Sequence, residues 1–373
     1  MPQYFSVGSS LITANELKDN TAKINRFFTD LSKNKDPNEV LLPTGVLSVR
    51  TLNTPRVKNK NKPLPFEPIG LGNPLLIMIR SIYTGKYPQG FLGNRWKGLL
   101  ATSSVKSFAT YNAQPQAVNV LKENVGRNCS ITRPGANEAG TPIVFYSPAL
   151  VDQSLTLTIR FVFDEFPSEL FAEFGKILQG SASIPVFLTS SLYLTVAGSI
   201  VNLLGKVGEH VFDGKPAFES SVPIDVALAG STPAAAGFRL IFDEDVDLAT
   251  RSTYKVNNKG EVVDNKGNLF VGDTPYAVIS CDGSTNDHLK DFIPTAATAE
   301  ILSRFFGDKG AGGNSDLLLD ALKIYNDVHF RKKVDDLDAK IKDTSNATQK
   351  AKLKQERAAL VANISNDLLK PQK

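Results

Sequence analysis

Leu155-Thr-Leu-Thr-Ile-Arg-Phe-Val-Phe163 alternates Leu155, Leu157, Ile159 and Phe161 with Thr156, Thr158 and Arg160. A period of two places the first set on one side of an extended chain and the second on the other, so the segment predicts a strand with one core face and one wet face. Such a strand needs a second layer over its apolar side, which makes it the key to the fold class. Working outward, β-branched and aromatic runs recur at 74–83, 99–111, 142–146, 222–228, 238–242, 253–271 and 276–280, punctuated by Gly, Pro and Asn. Within 253–271, the sequences NNKG (257–260) and DNKG (264–267) supply residues that tolerate the positive φ of tight hairpin turns. The expected fold class is α+β, mainly β: an antiparallel β-sandwich of roughly eight strands.

Helical patterns flank and interrupt these strands. Thr13 and Glu16 stand at capping-box spacing, and Leu17, Ile24, Phe27, Phe28 and Leu31 follow on one helical face, which predicts a helix over 15–32. A basic run then carries Arg56, Lys58, Lys60 and Lys62 between prolines and reads as an extended, solvated linker. Ser168 with the acidic turn after it, and Leu170, Phe171, Phe174, Ile177 and Leu178 on one side, predict an amphipathic helix over 168–179. A second, mostly apolar helix is expected over 188–207. Residues 177–205 hold no Asp, Glu, Lys or Arg, in a chain of which 21% is charged. Past Gly283 the pattern turns helical, with segments at 295–306 and 317–341 and a tail at 347–369 whose Leu353, Leu360, Ile364 and Leu368 share a stripe. Asn346 and Gln349 have capping spacing at the start of that tail. Three parts are thus expected: 1–65 with the amino-terminal helix and basic linker, 66–290 with the sandwich and its helical insertion at about 168–207, and 291–373 ending in a helical hairpin.

Composition narrows the function without naming it. The 373 residues are 42% hydrophobic with 22 Phe, which describes a packed protein and not a disordered one. Two cysteines, Cys129 and Cys281, form no disulfide framework, and the amino terminus lacks a secretory pattern, so a cytoplasmic location is expected. The net charge is +4. Because the positive charge reads as clustered only between Arg56 and Lys62, nucleic acid is not expected as a partner. There is no GxSxG, P-loop, HExxH or GxGxxG motif, and no cofactor or metal is expected.

The expected function is that of a non-enzymatic structural or binding protein that self-associates into a homo-oligomer through its helical additions. The candidate interaction residues are Leu17, Phe27, Phe28, Leu194, Leu353, Leu360, Ile364 and Leu368, apolar positions on helices too narrow to be complete alone. Two other classes stand beside this one. A peripheral membrane protein or pore-type effector would expose residues 177–205 to a membrane surface, although Pro185, Thr189, Ser190 and Ser191 interrupt the run and no basic block flanks it. A hydrolase would use Cys281 with Asp282, Asp287 and His288 close in sequence, or a metal held in acidic loops at 243–247 and at Asp273, Asp282 and Asp287.

Overall fold

The computed structural model of the chain describes residues 3–7, 10–19, 66–89, 97–107, 116–132, 134, 140, 142–147, 149–168, 171, 216–226, 236–242, 253–286, 315–364 and 366–371, with the backbone alone at residues 6, 7, 10, 14, 17, 18, 107, 116, 117, 315–323, 325, 326 and 329. The segment that opened the sequence reading is the strand β8 (Ser154–Asp164). It lies inside a four-stranded antiparallel sheet of order β5-β4-β8-β9, with β4 (Lys97–Ser107), β5 (Gln116–Val125) and β9 (Phe218–Asp225). Leu155, Leu157, Ile159 and Phe161 are fully buried, while Thr156, Thr158 and Arg160 are half-buried on the other side. The alternation is therefore realised as written.

A larger antiparallel sheet covers that apolar face. Its order is β2-β1-β10-β13-β3-β6, with β7 also paired to β3. Its strands are β1 (Gln3–Val7), β2 (Ser10–Thr13), β3 (Leu75–Tyr83), β6 (Ser130–Thr132), β7 (Ile143–Ser147), β10 (Gly237–Phe242) and β13 (Tyr276–Asp282). One continuous core joins the two sheets: Leu75, Ile77, Ile79, Ala277, Ile279 and Cys281 from the larger sheet meet Leu99, Ala101, Leu157, Ile159, Phe161 and Val222 from the smaller. Phe161 and Phe218 stack at 4.4 Å between ring centroids. The architecture is an antiparallel sandwich, mainly β, in an α+β chain.

The larger sheet is covered on its outer side as well. Tyr83, Tyr276, Phe238, Leu240 and Phe242 point away from the sandwich and pack under a small hairpin of β11 (Tyr254–Val256) and β12 (Val262–Asp264), with Phe270 closing the cluster. Tyr83 and Tyr276 stack at 5.1 Å, and Phe270 meets Tyr83 edge-on at 5.4 Å. This double cover explains why β3 and β13 read as nearly unbroken apolar runs and not as alternations. The two turns expected from NNKG and DNKG form, with Gly260 at φ 79° and Gly267 at φ 90°. At Gly260 the fit is tight, since a Cβ there would lie 2.3 Å from Cβ of Arg80.

The described residues contain thirteen strands, more than the roughly eight expected. The added ones are β1, β2, β5 and β6, and the split of one expected segment into β11 and β12. Arg239 on β10 is buried at 1% exposure, its guanidinium 5.0 Å from the Phe5 ring centroid on neighbouring β1. At the far side of the smaller sheet, β9 is the outermost strand among the described residues and carries Pro223 opposite Thr156.

The amino-terminal capping box is present at the start of α1 (Ala14–Asp19). The Glu16 N–H donates to Thr13 Oγ1 at 3.3 Å, and the Thr13 N–H donates to Glu16 Oε2 at 2.7 Å. The remainder of the helix expected over 15–32, the basic linker, the helical insertion apart from Ser168 and Phe171, and the helix at 295–306 lie outside the described residues. The carboxy-terminal hairpin is α2 (Ser315–Asp343) followed by α3 (Ala347–Ala362) and a single 3-10 turn, Asp367–Leu369. No helix among the described residues is long and apolar enough to cross a membrane.

Candidate interaction surface

The hairpin is positioned by its own caps and by a small core. Asn346 accepts from the Thr348 and Gln349 N–H groups at 3.0 and 3.1 Å, the predicted cap of α3. Val334 and Leu337 of α2 pack with Leu360 and Ile364, and Leu353, Phe330 and Val361 lean on the same cluster. A bidentate pair locks the helices together: Arg357 donates to Asp338 at 2.6 and 3.0 Å. That contact holds the Asp338 carboxyl below the usual carboxylate range and raises Arg357.

The hairpin is also fastened to the sandwich. Asn363 Nδ2 donates to Ala149 O at 2.7 Å, Gln355 Nε2 donates to Leu71 O at 2.7 Å, and Val151 joins the hairpin core. The two body loops are themselves tied, Gly72 N–H to Leu150 O and Leu150 N–H to Asn73 O, both at 2.8 Å. At the opposite end Asp327 of α2, a buried carboxylate, accepts the Asn366 N–H at 2.8 Å, and Arg331 donates to Leu369 O at 3.3 Å.

These contacts sort the predicted interaction residues. Leu360 and Ile364 are buried and Leu353 is half-buried, all against the chain's own α2 and Val151. Leu368 does not join that core and is 91% exposed. Two large apolar side chains that the sequence reading did not select, Ile324 and Val328, are 49% and 50% exposed one turn apart on α2. The hydrogen bonds from Asn366 to Asp327 and from Arg331 to Leu369 bring the Leu368 turn alongside them. Their signal was available as an i, i+4 pair on the outer side of α2. Leu17 lies in α1, and Phe27, Phe28 and Leu194 fall outside the described residues, as does all of 177–205.

The chemistry expected of a hydrolase finds little support at Cys281. Its side chain is wholly buried in the sandwich core, and burial pushes its thiol up, away from the thiolate a nucleophile requires. Neighbouring Asp282 serves the backbone, accepting from the Glu67 and Ser284 N–H groups at 3.0 Å each. Asp287, His288 and the acidic run at 243–247 lie outside the described residues, and no His, Cys, Asp and Glu group that could hold a metal occurs among the described ones.

Comparison of the chain with protein-family models, with curated proteins and with solved structures finds no match.

Proposed function

We propose that this protein is a non-enzymatic structural or binding protein that associates with copies of itself through its carboxy-terminal hairpin. The observation that carries the reading is the apolar end of that hairpin. Ile324, Val328 and Leu368 leave apolar surface in water beside a core that already uses Leu353, Leu360 and Ile364. The expected interface thereby moves from the stripe as a whole to its unburied end. Fully covering side chains of this kind contributes about 1.5 to 3 kcal/mol each, enough for three on each copy to hold a modest dimer. Cys129 and Cys281 are not joined in a disulfide, which suits a reducing compartment, so a cytoplasmic setting belongs to the same reading.

Light scattering of the full chain across a concentration series tests it. The wild type is expected to run above the 40.4 kDa of one chain, and the triple variant Ile324→Ser, Val328→Ser, Leu368→Ser to return toward it with an unchanged circular-dichroism spectrum. A wild type that stays at the mass of one chain at every concentration sinks the reading.

A further inference from the structure

The net charge of the chain is not spread over its surface. Residues 339–355, the end of α2, the turn and the first half of α3, hold Lys340, Lys342, Lys350, Lys352 and Lys354 against the single acid Asp343, a net charge of +4. The whole chain also sums to +4, so the residues outside this tip sum to zero, the Arg56–Lys62 run, itself +4, being offset by acids elsewhere. The hairpin brings together lysines that are twelve to fourteen residues apart at the extremes of sequence, Lys340 with Lys352 and Lys354, on one exposed knob. Lys340, Lys342, Lys352 and Lys354 are exposed and Lys350 is half-buried. None of the five is in an ion pair among the described residues, whereas the arginines just behind them are, Arg331 with Asp335 and Arg357 with Asp338. Lys340 and Lys342 sit in the last turn of α2, where the helix dipole favours cations, whereas Lys350 sits near the start of α3, whose first turn holds no acid and where the dipole disfavours one.

We infer that the hairpin tip binds the phosphate backbone of a nucleic acid. Five lysines, none of them in an ion pair among the described residues, outnumber the acids around them: Asp343 lies within the tip, and Asp338, which acts electrostatically on Lys342, and Glu356 flank it, so an excess of point charge is left for a polyanion. A membrane surface fits less well, because a helix that lies on lipid needs large apolar side chains beside its lysines. Besides the lysines and Asp343, the exposed residues of the tip are Ala339, Ala347 and Ala351 with Ser345, Asn346, Thr348, Gln349 and Gln355. The apolar end with Ile324, Val328 and Leu368 lies at the other end of the hairpin, so polyanion binding and self-association use separate surfaces. Backbone contact by lysines alone carries no base readout, so binding is indifferent to sequence.

Fluorescence anisotropy with the full chain and two labelled probes, a single-stranded oligoribonucleotide and a DNA duplex of mixed sequence, tests the assignment. With five lysines engaged, affinity for the single strand is expected to fall by about 100-fold between 50 and 200 mM salt. The variant with all five lysines changed to Gln should lose salt-dependent binding while keeping its helix content, and the same five positions changed to Arg should retain it. No binding of either probe by the wild type at 50 mM salt overturns the inference. So does undiminished binding by the Gln variant, and so does binding to vesicles rich in anionic lipid with none to the two probes. The triple serine variant at Ile324, Val328 and Leu368 should bind the probes at the same salt dependence, which separates this result from the fate of the association reading.

Discussion

The sandwich and the hairpin are stabilised at different depths. In the sandwich, each sheet buries a full face against the other, and the larger sheet buries its second face under the β11–β12 hairpin, so its side chains are committed to the interior. In the hairpin four fully buried residues, Val334, Leu337, Leu360 and Ile364, form the centre, and the rest of the surface is charged or apolar and open. What is spent inside the sandwich cannot recognise anything; what the hairpin leaves outside can. The difference puts most of the buried core in one region and, on the reading proposed above, contact with partners in the other.

The strongest way to break this comparison is to hollow the sandwich. Phe161 is fully buried and stacked on Phe218, so Phe161→Ala is expected to destabilise the fold by about 3 to 5 kcal/mol. Urea denaturation followed by intrinsic fluorescence and circular dichroism should show loss of sheet and hairpin together. If the sandwich keeps its midpoint, its core is not what holds the chain.

A smaller effect is expected from Leu360→Ala, about 2 kcal/mol, at the low end for a buried leucine because a cluster of this size can collapse around the gap. Hydrogen exchange is the suitable reading. Amides of α2 and α3 should lose protection while those of β3, β8 and β13 keep theirs. Equal loss in both regions would mean that the hairpin is part of one cooperative unit with the sandwich and not a brace upon it.

The smallest expected effect sharpens the comparison by pH. Asp338 has its carboxyl lowered by Arg357, so the pair stabilises the hairpin above the ordinary carboxylate value near 3.9 and that contribution is lost as pH falls through the lowered value. Both partners are partly exposed, at 37% and 30% of their side chains, which limits the effect to about 0.5 to 1 kcal/mol. Asp338→Asn should weaken α2–α3 protection at pH 7 and reduce the further loss of protection seen in the wild type as pH falls below the ordinary carboxylate value. A variant with the wild-type acid response would place the titrating group elsewhere.

How far the chain could be read follows the same division. Local devices were legible: the period-two pattern of β8, the Thr13–Glu16 box, the Asn346 cap and the two glycine turns are each set within a few residues. The strands that escaped are those defined by distant partners. β1 becomes a strand by pairing Phe5 with Arg239, and nothing within Gln3–Val7 announces that. β5 carries Lys122, Glu123 and Asn124 near its end, has two register shifts against β4, and turns Asn124 to φ 53°, which erases the alternation. The stripe of the tail and its hairpin with the preceding helix were legible, but not the residues that meet it, because Val334 and Leu337 come forward only once α2 folds back. The cationic tip was missed for a similar reason: its lysines are unremarkable in two separate helices and form a patch only across the turn.

Pro223 sets the manner in which copies of this protein can meet. Proline has no N–H to offer a further strand, and it is flanked by exposed Ser221 and by Asp225 on β9, the outermost strand of the smaller sheet among the described residues. Lateral growth of that sheet from one molecule into the next is therefore blocked at this edge. An assembly of the kind proposed here would meet helix to helix and would not extend the smaller sheet through β9.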